Sequence, residues 1–322
     1  MLRLSPAGSD RLFQGNSLRY CFGGSEANVA VLCAELGLDS AYVTKTPDNQ
    51  IGNAAKTELK KYGVDVSQIM TGDGRMGAYY YEKGAGTRPA VCVYDRAYSA
   101  FSLSKREEYD WSKILDKADA FHFSGITAAL SDELAAACLN GCKHAKKHGI
   151  KVFCDLNYRS KLWSKEKSRE TMCKILPYVD VFVSSVYQAA DIFGLDVDLS
   201  DTDTACVDLA KRLNETFGFE TVAMTVRKTY SADKNGFYGM IYKNGISYFS
   251  KKYETEIVDR VGSGDAFDGA LIYSVLNNEP EQRAAELASA AAVLKHSVEG
   301  DFLIATLKEI EDAVDQNGIT QR

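Results

Sequence analysis

The chain has 322 residues, of which 45% are hydrophobic, and its 38 Lys and Arg against 44 Asp and Glu give a formal charge of −6. A chain of this length and composition can bury a large core, which excludes disordered and low-complexity architectures. Net negative charge argues against general binding to nucleic acids or membrane surfaces, because those partners require clustered positive charge. Chemistry on small molecules is the better starting hypothesis.

The sequence also predicts where the protein works. Its apolar runs are far shorter than the ~20 residues that a membrane-spanning helix needs, and residues 1–11 lack the apolar segment of a secretory signal. Eight cysteines occur without a C-x-x-C pair, which is typical of reduced, buried thiols. We therefore expect a cytoplasmic protein without a membrane span.

Apolar runs of strand length alternate with helical patterns along most of the chain. The predicted strands are 118–123, 150–156, 179–185, 221–226 and 253–259. The predicted helices are 52–62, 132–148, 165–176, 202–217, 265–277 and 281–296. This alternation predicts an α/β fold with a mostly parallel sheet and helices on both of its faces.

Residues 76–103 break the alternation. Two aromatic and β-branched runs, 78–82 and 90–94, are joined by the glycine-rich turn 84–86, with no helix between them. This pattern predicts an antiparallel hairpin outside the parallel sheet, with 12–22 as a further strand. We interpret residues 10–22 and 76–103 as a small β lid on a single domain that spans residues 1–322.

The sharpest local signal for function is Gly262-Ser263-Gly264-Asp265, which follows an apolar strand and opens a helical pattern. Backbone N–H groups at such a junction can converge on a phosphate, and the helix dipole adds to the attraction. Asp265 can then accept the proton of a hydroxyl during phosphoryl transfer. Alternatively, Asp265 only caps the helix and the glycines only form the turn. The segment alone does not decide between the two.

Two motifs together resemble the ribokinase-like (PfkB) carbohydrate kinases. The family signature D-x-x-G-x-G-D reads here as residues 259–265, and the family's early glycine pair reads as Gly23-Gly24-Ser25-Glu26-Ala27-Asn28. The order and separation of the motifs match from about residue 1 to the end. The resemblance implies a ribokinase-like three-layer sandwich with a β lid, and it assigns Asp265 as the catalytic base beside the turn of Gly262, Ser263 and Gly264.

Within this family the chain is most similar to 2-keto-3-deoxygluconate kinases, through segments such as GAYYYE, VYDRAYSAFS, DLNYRSKLWS and KHSVEGDF. The resemblance implies ATP-dependent phosphorylation of the 6-hydroxyl of that sugar acid. It further implies a set of substrate contacts: Gly24, Asn28, Tyr79, Tyr94, Arg96, Arg159 and Asp301. Bound to a carboxylate, the guanidinium groups of Arg96 and Arg159 can each form two parallel hydrogen bonds.

The resemblance also implies the nucleotide contacts Asn157, Ser185, Thr225, Arg227, Gly262, Gly264 and Ser289. ATP chemistry implies Mg²⁺, whose protein ligands the sequence does not identify. The expected partners are a sugar acid and ATP, without nucleic acid or membrane. An exposed edge of the lid sheet would favour a homo-oligomer.

Two features depart from the family pattern. Family members carry N-x-x-E near the metal and phosphates, whereas residues 185–188 here read SVYQ and place Gln188 at the acidic position. Members also begin with an apolar strand ahead of a stretch similar to MLRLSP, so the native start is expected upstream of Met1. These departures keep two alternatives open: a kinase of a neutral sugar such as fructose or ribose, and a sugar-binding relative with impaired catalysis.

One further cluster has the spacing of a metal site. Cys138, Cys142, His144 and His148 recur at helical intervals within 132–148. Three lysines on the same segment favour a solvated helical face instead.

Overall fold

The computed structural model describes residues 1–315, whose strands form three separate sheets. The strands are β1 (Leu2–Ser5), β2 (Arg19–Phe22), β3 (Thr44–Pro47), β4 (Ile69–Gly72), β5 (Ala78–Glu82), β6 (Val91–Asp95), β7 (Ala120–Ser124), β8 (Lys151–Asp155), β9 (Val181–Ser185), β10 (Thr221–Thr229), β11 (Lys234–Lys243), β12 (Ile246–Phe249) and β13 (Tyr253–Glu256). The helices among these residues are α1 (Ser25–Glu35), α2 (Gln50–Lys61), α3 (Trp111–Ile114), α4 (Gly125–Leu130), α5 (Asp132–His148), α6 (Lys165–Ile175), α7 (Val186–Phe193), α8 (Thr202–Phe217), α9 (Ser263–Leu276), α10 (Glu281–Lys295) and α11 (Leu307–Val314).

The central sheet has seven strands in the order β12-β11-β10-β9-β8-β7, with β13 pairing a second part of β11. Strands β7 to β10 are parallel, and β11 to β13 continue the sheet in antiparallel pairs. One apolar core joins the sheet to α4 through α8, and a second core joins its other face to α1, α9, α10 and α11. The predicted three-layer α/β sandwich is confirmed.

The hairpin of β11 and β12 is the main part of this sheet that the sequence analysis does not predict. Its turn is Asn244-Gly245, and both residues have positive φ values of 52° and 81°. Asn-Gly between two apolar runs favours this type of hairpin turn, because both central residues must adopt left-handed backbone. The predicted strand 253–259 is shorter, ending at Glu256, and it is antiparallel to its neighbour β11.

A four-stranded sheet lies apart from the central sheet, with the order β2-β1-β5-β6. The antiparallel hairpin predicted around residues 78–94 is present as β5 and β6. The strand predicted over 12–22 is confined to Arg19–Phe22, and the unpredicted β1 separates it from β5. The role of this sheet as a lid remains a prediction.

A buried arginine joins the four-stranded sheet to the loops that carry Asp259 and Asp301. On β1, Arg3 pairs with Asp259 at 2.7 Å and with Asp301 at 3.1 Å, and all three side chains are 2–6% exposed. Its guanidinium also lies 4.4 Å from the centre of the Tyr81 ring on β5. Asp259 in turn accepts hydrogen bonds from the N–H groups of Val261 and Gly300. One cation therefore fixes two loops against the sheet.

Replacing this cation tests its structural role. We expect Arg3→Met to lower the free energy of unfolding by about 3–5 kcal/mol, because two buried carboxylates lose their partner. Urea unfolding at pH 7 measures the change. A matched control is Arg19→Met on the same sheet, since the Arg19–Glu299 pair is about two-thirds exposed and contributes little. Equal unfolding curves for the two variants would contradict the role assigned to Arg3.

Candidate active site

A cavity of about 660 Å³ opens where the carboxyl ends of β8 and β9 meet the four-stranded sheet. Ligands of open parallel sheets bind at this edge. Apart from Ser289, every residue that the sequence predicts for the site lines the cavity: Gly24, Asn28, Tyr79, Tyr94, Arg96, Asn157, Arg159, Ser185, Thr225, Arg227, Gly262, Ser263, Gly264, Asp265 and Asp301. The structure therefore brings together residues from the two ends of the chain.

The turn before α9 is shaped for close approach of a backbone to a ligand. Gly262 has a φ of 85°, and a Cβ at this position would lie 2.1 Å from the carbonyl oxygen of Asp301. Only glycine fits such a position without displacement of the neighbouring backbone. In α9, which follows, no side chain caps the N-terminus. Its first N–H groups therefore face the cavity without a side-chain partner, which favours a bound anion.

Asp265 lies in the first turn of α9 as a buried carboxylate with two hydrogen-bond donors. Its Oδ1 accepts a bond from the Ser25 hydroxyl at 2.7 Å, and its Oδ2 accepts one from the Asn28 amide at 2.6 Å. Burial raises the pKa of Asp265 to about 6, although Ser25, Asn28 and Arg159 oppose that rise. At neutral pH the carboxylate is thus mostly ionised yet more basic than an exposed one, as a general base requires.

The early glycine segment positions this carboxylate. Asn28 holds its amide towards Asp265 while its own Oδ1 accepts the N–H of Gly24 at 3.2 Å. Asn157 donates to the Ser25 hydroxyl at 2.9 Å and so extends the same chain of hydrogen bonds. The sequence predicts Asn28 as a sugar contact and Asn157 as a nucleotide contact. In the structure the Asn28 amide bonds directly to Asp265, and the Asn157 amide bonds to Ser25, which bonds to Asp265.

Two arginines, Arg96 and Arg159, lie near each other in the cavity lining. Arg96 is buried, and its guanidinium lies 4.1 Å from the centre of the Tyr94 ring. Burial, and then the nearby charge of Arg159, lowers the pKa of Arg96. Arg159 donates to the carbonyl of Tyr158 at 3.3 Å. Several other arginines form ion pairs with acids, whereas Arg96 and Arg159 form none within residues 1–315. Their charges are therefore available for a ligand.

Arg227 and Arg260 provide a second concentration of positive charge beside the turn. Arg227 lies on β10 and donates to the Ser263 hydroxyl, whereas its buried Nε has no partner in the described part of the chain. Burial, then the charges of Arg260 and Arg159, lowers the pKa of Arg227 to about 10. A guanidinium that is buried among other cations is stabilised by a bound anion.

The tyrosines of β5 alternate between the two faces of their sheet, as their spacing predicts. Tyr79 and Tyr81 are buried towards the cavity, whereas Tyr80 packs against Phe13 on the opposite face. The Tyr79 hydroxyl donates its one proton to the Asp301 carboxylate, whose two oxygens lie 2.7 and 2.6 Å from it. Asp301 therefore already has partners in Tyr79 and Arg3, and its contact with a sugar remains a prediction.

Gln188, at the position where the family has an acid, forms two bonds with one peptide unit. Its Oε1 accepts the N–H of Tyr158 at 3.2 Å, and its Nε2 donates to the carbonyl of Tyr158 at 3.3 Å. A glutamate could not donate the second bond. Gln188 thus holds the loop between Asn157 and Arg159, while Ser185 caps α7 beside it.

Ser289 is the one predicted site residue that the structure does not bring to the cavity. It is fully buried on α10, and its hydroxyl faces Gly239 of β11. The helix packs on the antiparallel part of the sheet, so this side chain points into the core.

Several residues of the site are missed by the sequence analysis. Ser25 lies inside the quoted glycine motif, and its spacing from Gly24 and Asn28 could have identified it. Arg260 similarly lies inside the 259–265 signature. Arg3 does not line the cavity but pairs with Asp301, which does; it has no local signal, because its partners Asp259 and Asp301 are more than 250 residues away in the chain.

Within residues 1–315 there is no group of three or more His, Cys, Asp or Glu side chains that could hold a metal ion. Cys138 and Cys142 are buried in the core, and His144 stacks on His148 at the exposed face of α5. Over the same residues, the helices are too short or too polar to span a bilayer.

Comparison with known proteins agrees with the geometry. The chain is 36% identical over 311 residues to 2-dehydro-3-deoxygalactonokinase from Haloferax volcanii, which covers 97% of this chain and 93% of that relative. It is 29% identical over 282 residues to 2-dehydro-3-deoxygluconokinase from Thermoproteus tenax, covering 86% of this chain and 80% of the relative.

A solved structure and a family model extend the comparison. The crystal structure of 2-dehydro-3-deoxygluconokinase from Thermotoga maritima matches with a TM-score of 0.95 at 44% identity, over 98% of this chain and 95% of that chain. The model for the pfkB family carbohydrate kinases matches residues 3–304, which include both glycine motifs and every lining residue of the cavity except Met1. The chain therefore belongs to the pfkB family of carbohydrate kinases.

Proposed function

We propose that this protein is an ATP-dependent kinase of a 2-keto-3-deoxy sugar acid, and that it converts 2-keto-3-deoxygluconate to its 6-phosphate. The observation that carries this proposal is the pair of Arg96 and Arg159 beside the buried Asp265. A neutral sugar would leave both cations without a partner. The relatives from Haloferax volcanii, Thermoproteus tenax and Thermotoga maritima are kinases of 2-dehydro-3-deoxy sugar acids, which supports the same substrate class.

Asp265 is the base in the proposed reaction. Its carboxylate accepts the proton of the sugar's 6-hydroxyl while that oxygen attacks the terminal phosphorus of ATP. The bond between this phosphorus and the bridging oxygen breaks, and ADP leaves with the electron pair. Ser25 and Asn28 hold the carboxylate in place before the sugar arrives.

The turn before α9 stabilises charge on the phosphoryl group that is transferred. The N–H groups of residues 262–265 and the guanidiniums of Arg227 and Arg260 surround one part of the cavity. Fixed donors of this kind stabilise developing charge without having to reorganise during the reaction. ATP lies along Ser185 and Thr225, which are paired neighbours in β9 and β10.

The other part of the cavity binds the sugar acid. Arg96 and Arg159 hold its carboxylate, and Gly24 and Tyr94 lie close enough to line the sugar chain. The four-stranded sheet covers this part as a lid. Closure would exclude water, which otherwise competes with the sugar for the phosphoryl group.

Magnesium enters this proposal as part of the substrate MgATP. The described residues include no acidic cluster that could cage a metal, and Gln188 is bonded to the backbone of Tyr158. Mg²⁺ commonly binds through substrate phosphates and water. When bound, it neutralises charge on the phosphates.

Removing the charge of the base tests the mechanism. We expect Asp265→Asn to lower kcat for 2-keto-3-deoxygluconate by about 10²–10⁴-fold, because the amide cannot accept the proton. Calorimetry should show that the variant still binds both substrates. For the parent protein, kcat/KM should rise with pH through about 6, where Asp265 ionises.

The two readouts contradict the assignment in different ways. Near-normal turnover by Asp265→Asn would exclude Asp265 as the base. A parent protein that binds the sugar acid tightly but releases no ADP would instead be a sugar-binding relative without turnover.

Removing one guanidinium tests the substrate class. We expect Arg96→Gln to lower kcat/KM for 2-keto-3-deoxygluconate by roughly 10–100-fold, because a charge-assisted bond contributes about 1.5–3 kcal/mol. Activity on a neutral sugar should change much less. A coupled assay for ADP measures both rates.

The matched control is Arg212→Gln, because Arg212 pairs with Asp208 on the outer side of α8, away from the cavity. Its kinetics should equal those of the parent. If Arg96→Gln reduced the rates with acid and neutral sugars equally, the arginine would not be recognising a carboxylate, and a kinase of a neutral sugar would be favoured.

A further inference from the structure

Two acids lie close to the proposed base: Asp268 is buried, whereas Asp155 is half-buried and lines the cavity. Asp155 is the last residue of β8, and Asp268 lies one helical turn after Asp265 on α9. Asp268 is 2% exposed, and neither of its carboxylate oxygens receives a hydrogen bond from a donor within residues 1–315. The carboxyl group within hydrogen-bonding reach of Asp268 is that of Asp155. Asp155 itself accepts the N–H of Asn157 at 3.0 Å.

The surroundings of this pair are mostly negative or neutral. Its charged and titratable neighbours are Glu26 and Cys33 on α1, Cys154 on β8, Asp265 on α9 and Arg159 in the loop after β8. Burial, and then the charge of Asp265, raises the pKa of Asp155 to about 7. Burial, and then the charge of Asp155, raises the pKa of Asp268 well above its ordinary value.

We propose that Asp155 and Asp268 share one proton at neutral pH, and that Asp268 donates the resulting hydrogen bond to Asp155 as a positioning residue for the loop after β8. Two adjacent carboxylates in a buried site cannot both remain ionised. One proton converts their repulsion into a hydrogen bond and gives Asp268 the partner that it otherwise lacks. This inference rests on the proposed function, because the loop serves the base Asp265.

The hydrogen bond acts on catalysis through named contacts. In the proposed arrangement, the Asp155 carboxylate accepts one hydrogen bond from Asp268 and another from the N–H of Asn157. Asn157 bonds to Ser25, which bonds to Asp265. Loss of the shared proton would separate the two carboxylates and shift this chain of contacts. It would also add a second negative charge behind the site where the phosphates of ATP bind.

The first experiment compares pH profiles of kcat/KM for Asp268→Asn and the parent. Asparagine cannot ionise but can still donate to Asp155. We expect the parent to lose activity on the alkaline side, by about tenfold per pH unit once the proton is lost, and the variant to lose this decline. We also expect Asp268→Ala, which cannot donate, to have a lower kcat at pH 7 than Asp268→Asn. If kcat/KM of the parent and of Asp268→Asn declined equally at alkaline pH, the proposal would be overturned.

The second experiment measures the shared proton without any substrate. Between the ordinary carboxyl pKa and the raised one, the folded protein binds more protons than the unfolded chain, so its stability falls as pH rises. We therefore expect the Tm of the parent to fall more steeply from pH 5 to pH 8 than the Tm of Asp268→Asn. Asp155→Asn should flatten the same dependence and replaces Asp268→Asn if that variant does not fold.

The two experiments separate this inference from the proposed function. A parent without kinase activity on sugar acids, but with the expected difference in Tm, would contradict the proposed function and keep the shared proton. A parent with activity, but with the same dependence of Tm on pH as both asparagine variants, would contradict the shared proton alone.

Discussion

The site depends on keeping one carboxylate charged in a place that water barely reaches. Asp265 is buried at the start of α9, and its ionised form is held by Ser25, Asn28 and the nearby charge of Arg159. Burial disfavours the charge, whereas these donors favour it, and the balance raises the pKa of this carboxylate to about 6. The glycine pair, the loop after β8 and the turn before α9 all converge on this balance.

A second constraint is that an acidic chain must bind two anionic substrates. The formal charge is −6, so attraction must come from local placement of the cations rather than from the total. Surface arginines are largely paired with acids, while Arg96, Arg159, Arg227 and Arg260 face the cavity without ion pairs within residues 1–315. Each of these four guanidiniums is therefore in position to pair with a sugar carboxylate or a phosphate.

Sequence patterns predicted the helices whose ends are set by residues next to them in the chain. The bounds of α5 and α8 match their predictions because each begins at a side-chain cap and ends at a glycine with left-handed backbone. Helix α1 was not predicted, because apolar and small residues lie on all of its sides and the sequence shows no helical period there. The link of Asn28 to Asp265 and that of Arg3 to Asp301 join opposite ends of the chain, and only the folded structure reveals such contacts. Ser289 does not reach the cavity because the face of α10 that carries it packs against β11.

The central claim, that the cavity selects a sugar acid, is tested most directly by the parent protein alone. The measurement is kcat/KM with ATP for 2-keto-3-deoxygluconate, its galacto epimer, fructose and ribose, with the release of ADP as the readout. The account predicts that the better of the two sugar acids exceeds both neutral sugars by at least about tenfold, the ratio expected for one charge-assisted hydrogen bond. Equal or higher values for fructose or ribose would contradict it.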